Sequence, residues 1–215
     1  MTMNRLPNPL IDALADDLAP VRPMTARAGL AWVAAALAAT LVAVELLHGL
    51  WHGAFAGEAD PLFWIANGLL LLLGAASAAS AVRMAGPRVG NRHEAPRWAL
   101  AAVAVLPLAA LATVLSDAGA GSPLHDPYGV KCALASLAAA GLTAVVLVAW
   151  LRRGAPVSLA AAGFHTGLAA GALGSVAYGL SCPIDEAAHL GIWHVLPVFV
   201  AGLAGRWLVP PLVRW

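Results

Sequence analysis

Apolar residues in this chain come in long runs separated by short clusters of Arg, Asp, Pro and Gly. Six runs of about 20 residues can be laid out without overlap, near 28–50, 62–82, 96–116, 128–151, 156–179 and 188–208. A hydrocarbon layer of roughly 30 Å needs about 20 residues at about 1.5 Å rise each, so every run is long enough to cross. None has the ten-residue alternation of an outer-membrane barrel strand. The pattern predicts an all-α, polytopic membrane protein: a bundle of six transmembrane helices over 27–215, preceded by a tail of residues 1–26. The first run follows more than 25 residues that contain prolines and acids, unlike a cleaved signal peptide, and is expected to stay as a span.

The tail has a different period. Asn8 followed by Pro9 is a good helix start, and Pro20 with Pro23 ends the element. Between them Leu10, Ile11, Leu14 and Leu18 share one face, with Asp12, Asp16 and Asp17 on the other. About ten residues are too few for a stable helix alone in water, so the segment is expected to order against something. Its acids disfavour an anionic lipid surface, where helices usually present Lys and Arg. An apolar groove with a basic rim on a protein partner suits it better.

Composition agrees with a membrane protein: 61% of residues are hydrophobic and 11% charged, and the mean hydropathy is +0.81. A net charge of +1 argues against a large surface for direct nucleic-acid binding. Charge distribution is more informative. Eleven of the twelve basic residues fall in the tail, between spans two and three, between four and five, or at the end; only Lys131 lies elsewhere. Basic short loops stay in the cytoplasm, which predicts both termini there and the loops near 51–61, 117–128 and 180–188 outside. Trp51, Trp64 and Trp193 then fall near the outer interface, and Trp32, Trp98, Trp150 and Trp207 near the inner one. Gly163, Gly167, Gly171 and Ser175 recur every four residues on span five, which predicts close helix packing, within one copy of the chain in the plainer reading and at a dimer seam in the other. Oligomeric state is not legible.

Both cysteines belong to the outward side. Cys132 opens span four after Lys131, and Cys182 precedes Pro183 at the opening of span six, positions read as helix N-termini where dipole and unpaired N–H groups make thiols reactive. Three readings stay open: a functional thiol pair, a structural disulfide, and inert packing. A thiol pair is also a soft site for a heavy-metal ion, with Asp185, Glu186, His189 and Lys131 near in sequence to tune it. No cofactor is required by the pattern. Glu45, His48 and His52 at i, i+3 and i+7 form a stripe at the end of span one, read as interfacial and polar. His165 and His194 do not make the four-histidine cage that haem between two helices needs.

The segment YGLSCPIDEAAHLGIWHVLP over 178–197 resembles the closing motif of the NrsF family, six-span membrane anti-sigma factors. The resemblance extends to GVKC at 129–132 and to the tail LIDALADDLAPVRP over 10–23. It implies an inner-membrane negative regulator, not an enzyme, that holds an extracytoplasmic-function (ECF) sigma factor through the cytoplasmic tail. It also implies that the outer thiols, here Cys132 and Cys182, respond to heavy-metal or oxidative stress. A redox enzyme is disfavoured because the cysteines are 50 positions apart and no Cys-x-x-Cys exists. The alternative is a small membrane metal-binding or transport protein, which predicts broken helices or acids at mid-membrane.

Overall fold

The computed structural model describes residues 9–18, 24–86, 95–116 and 126–214. Their regular elements are helices: α1 (Pro9–Asp16), α2 (Ala26–His48), α3 (His52–Phe55), α4 (Pro61–Met84), α5 (Ala95–Val103), α6 (Val105–Ser116), α7 (Gly129–Arg152), α8 (Leu159–Gly179), α9 (Ala187–Trp193) and α10 (Leu196–Val213). Among the described residues, six segments are long and apolar enough to cross a membrane: 26–48, 61–84, 96–115, 129–152, 159–179 and 187–213. These are the six runs seen in the sequence, each shifted by a few residues at its ends.

Local chemistry sets the boundaries. Thr25 caps α2 through Oγ1, which accepts from the Ala28 N–H at 3.3 Å. Asp60 caps α4 with Pro61 in the first turn, its Oδ1 accepting from Leu62 at 2.8 Å. At the other end of α2, Gly49 takes φ +75°, a conformation that stops the helix and costs a side-chain-bearing residue energy. Spans three and six are each interrupted, at Ala104 and at His194–Val195. Both breaks have one cause. Pro107 and Pro197 lack the N–H that would bond the carbonyls of Val103 and Trp193, four residues back.

The centre of the bundle is α8, with 72% of its span buried against 22% for α2. Its small residues permit this. Side chains at Gly163, Gly167 and Gly171 would strike the α10 backbone at Gly205, Ala201 and Pro197, and one at Gly174 would strike α7 at Ser136 and Ala140. The four-residue stripe is therefore an internal seam, as expected, filled by α10. Around it lie two apolar clusters, one built on Val82, Leu147, Trp150 and Leu151, the other on Leu70, Val103, Leu106, Leu168, Leu190 and Val198.

The loops pair at the two ends. At the end that carries the cysteines, the Trp51 N–H bonds the Leu180 carbonyl at 2.9 Å and the Asp60 N–H bonds Asp185 Oδ2 at 2.9 Å. At the arginine-rich end, the Ala155 N–H bonds the Ala85 carbonyl at 2.7 Å. There the Arg153 guanidinium lies over the rings of Trp32 (5.0 Å) and Trp150 (5.8 Å). Two tryptophans expected in interfacial belts are core residues instead. Trp150 is buried with Nε1 donating to the Val82 carbonyl, and Trp193 is buried against Gly129. Trp32, Trp64, Trp98 and Trp207 are exposed, as a belt requires.

Candidate functional site

Asp126 begins the site. Its Oδ1 accepts the Tyr128 N–H at 2.9 Å and its carbonyl accepts the Gly129 N–H at 3.2 Å, a turn that launches α7. Gly129 has no side chain where the Trp193 indole sits, so the start of α7 lies directly against α9. Cys132 follows one turn into α7, its own N–H already bonded to the Tyr128 carbonyl at 2.9 Å. Cys182 is not at a helix N-terminus: it lies in the turn after α8, its N–H on the Gly179 carbonyl at 3.1 Å, five residues before α9 begins. The dipole argument for reactivity therefore fails at Cys182, because Pro183 delays the next helix until Ala187.

The turn and the break in span six bring four buried side chains together. The two cysteines are free thiols with sulfurs 3.7 Å apart. His189 Nε2 lies 3.4 Å from the Cys182 sulfur, and its Nδ1 lies 2.5 Å from Asp126 Oδ2. The His194 ring meets the His189 ring edge-on at 5.3 Å. One ligand atom from each of Cys132, Cys182, His189 and His194 lies within 4.8 Å of the other three. All four are at most 4% exposed, and His194 Nε2 has no hydrogen-bond partner among the described residues. Partial burial pushes the Asp126 carboxyl up. The hydrogen bonds from His189 and from the Tyr128 and Gly129 N–H groups outweigh it and hold the group below the ordinary carboxylate value. The hydrogen bond to Cys132, and then burial, push the Cys182 thiol above the ordinary thiol range, which opposes the ready reactivity expected from sequence.

Of the residues singled out from sequence, Cys132, Cys182 and His189 meet. Asp185 and Glu186 do not join them: Asp185 ties the 180–186 loop to Asp60, and Glu186 is exposed at the N-cap of α9. Lys131 points to the exposed side of α7. Two members were missed. His194 stands five residues after His189, a spacing with no helical meaning until the break swings it back. Asp126 announces itself only as the Asp-Pro that opens a helix. α2 ends at Gly49, so Glu45, His48 and His52 do not share one continuous helix face, yet Glu45 and His52 still meet, Glu45 Oε1 lying 3.8 Å from His52 Nε2. Glu45 Oε2 accepts the Leu50 N–H at 2.6 Å, and His48 packs on Tyr178 at 5.4 Å.

In the tail, α1 has no buried residue. Leu10, Ile11 and Leu14 are 65%, 61% and 61% exposed, and Leu18, just past the helix, is 78% exposed. Asp12 is in the first turn, Asp16 ends the helix and Asp17 follows it. The capping Asn8 and the terminating Pro20 and Pro23 lie outside the described residues.

The family NrsF, "Negative regulator of sigma F", matches residues 14–215. A relative described as "Probable anti-sigma-F factor NrsF" from Azospira oryzae is 28% identical over 183 residues, covering 84% of each chain. No solved structure matches the chain.

Proposed function

The chain belongs to the NrsF family, negative regulators of sigma F, and on that premise we propose that it is an inner-membrane anti-sigma factor that sequesters an ECF sigma factor. Residues 1–26 form the clamp and 27–215 the sensor, with both termini cytoplasmic and the thiol end outside. The observation that supports this reading is the face of α1: three large apolar side chains are exposed on a helix with no buried residue. Covering Leu10, Ile11, Leu14 and Leu18 is favourable by roughly 25 cal/mol per Å² of apolar area. Asp12, Asp16 and Asp17 give that contact a sign, pairing with basic residues that the sigma factor otherwise uses on polymerase or DNA. Inhibition is by occupancy, with no catalytic step.

Release follows heavy-metal binding or oxidation at Cys132 and Cys182. Moving the clamp from 99% held to 99% free requires a preference of roughly 5.5 kcal/mol for the releasing state, which metal ligation can supply.

Co-purification of the full-length chain with its co-expressed sigma factor tests the clamp. The wild type retains the sigma factor, and Leu14→Asp lowers retention by about 30-fold, the loss of an interface anchor worth about 2 kcal/mol. Equal retention by both would remove the tail from the mechanism. Cys132→Ser and Cys182→Ser retain the sigma factor while losing transcriptional induction by cadmium; normal induction in both would make the thiols bystanders. The interruptions in spans three and six favour a second reading, a small metal-binding or transport protein. It predicts zinc flux in proteoliposomes, which sequestration does not.

A further inference from the structure

We propose that Cys132, Cys182, His189 and His194 form one four-coordinate site for a divalent cation of the zinc class, with Asp126 as the residue that orients His189. The coordination chemistry stands on geometry alone, while its regulatory meaning rests on the anti-sigma reading above.

A tetrahedral cation about 2.3 Å from sulfur and about 2.0 Å from nitrogen sets sulfur–sulfur edges of about 3.8 Å and sulfur–nitrogen edges of about 3.5 Å. The Cys132–Cys182 and Cys182–His189 separations are 3.7 Å and 3.4 Å. The four ligand atoms lie within 4.8 Å of one another, and since the widest separations exceed a tetrahedral edge, a single ion holds all four once the side chains close by about 1 Å. Two thiolates with two imidazoles select zinc or a similarly soft divalent ion over magnesium or calcium, which take oxygen ligands. Four protein ligands leave no open position for water, so the site is closed in the manner of structural and regulatory metal centres.

Two details go beyond proximity. Asp126 Oδ2 accepts the Nδ1 proton of His189, which leaves the Nε2 lone pair facing the sulfurs, the carboxylate–histidine–metal arrangement that fixes tautomer and ring direction. His194 Nε2, buried and without a partner among the described residues, is a polar atom whose burial a bound cation or a proton-bearing neighbour would justify.

The ligands come from the first turn of α7, the turn after α8, α9, and the break between α9 and α10. A bound ion therefore pins the break. Since α10 runs from that break to the arginine-rich end beside α8, its seating is the element that occupancy biases.

The test uses the full-length chain in detergent micelles, with cobalt(II) as spectroscopic probe and zinc titrated against a chromophoric chelator. One equivalent of cobalt should give the intense visible bands of a tetrahedral site together with a thiolate-to-cobalt charge-transfer band. Zinc should displace it. Cys182→Ser and His194→Gln should each lose the tetrahedral signature. Asp126→Asn should keep it while weakening zinc by about 10- to 100-fold, as loss of an outer carboxylate does. Weak cobalt binding without the charge-transfer band in the wild type would overturn the site whether or not any variant folds, as would unchanged zinc affinity in His194→Gln. Sigma-factor retention measured on the same preparation separates the two readings. A tetrahedral cobalt spectrum without retention keeps the metal site and removes the regulatory role; retention without metal binding does the reverse.

Discussion

Asp126 shows how one side chain joins folding to chemistry, since Oδ1 starts α7 and Oδ2 holds His189. Gly129 is its complement: the missing side chain admits the Trp193 ring and so brings α7 within reach of α9. Gly129→Val should therefore part these elements and destabilise the chain by about 1–3 kcal/mol, the usual cost of overpacking a tight contact. Denaturant unfolding in micelles measures it, and an unchanged midpoint would mean that this contact does not hold the thiol end together. Cys132, Cys182 and His189 could be singled out from sequence because their residue types carry metal and redox chemistry wherever they sit. Asp126 was not singled out, and His194 was weighed only with His165 as a haem ligand, because their roles lie in a partner 63 residues away and across a helix break.

Among the spans α8 is the most deeply buried and meets its neighbours through small residues, so its stability comes from backbone approach. Helices in lipid gain little from hiding apolar surface and much from close contact. Gly167 faces the Ala201 carbonyl of α10, and Gly167→Leu should force the two helices apart, lowering the thermal midpoint in micelles and weakening zinc at the nearby start of α10. An unchanged midpoint would show that the α8–α10 seam tolerates separation. The six spans were legible because a membrane demands length and hydropathy of each segment independently. Their interruptions were not read, although Pro107 and Pro197 mark them, because an apolar run without charge reads as one continuous helix until the missing N–H is counted. The tail helix was legible at its start and face; its partner is a matter for experiment.

For the whole molecule, orientation is the quantity on which an outward sensor depends. Cys132 and Cys182 are 4% and 3% exposed, so labelling them directly would report burial instead of sidedness. Exposed Glu58 and Arg152 mark opposite ends. In a background carrying Cys132→Ser and Cys182→Ser, Glu58→Cys should react with an impermeant maleimide on intact spheroplasts, and Arg152→Cys only in inverted vesicles. The opposite pattern would place the thiol end in the cytosol and end the outward-sensor reading. Span number, helical class, the basic-loop asymmetry and the family resemblance were all determined by the sequence alone, since each is a property of one segment, or of residue types summed over loops, in a solvent that enforces helix formation. Which helix is central, which tryptophans are core, and which acids stand beside the thiols were decided only by tertiary structure. Those depend on close approach between segments distant in the chain, at Gly129 against Trp193, at Gly167 against Ala201 and at a helix broken by Pro197, and no local pattern encodes which partner fills a gap.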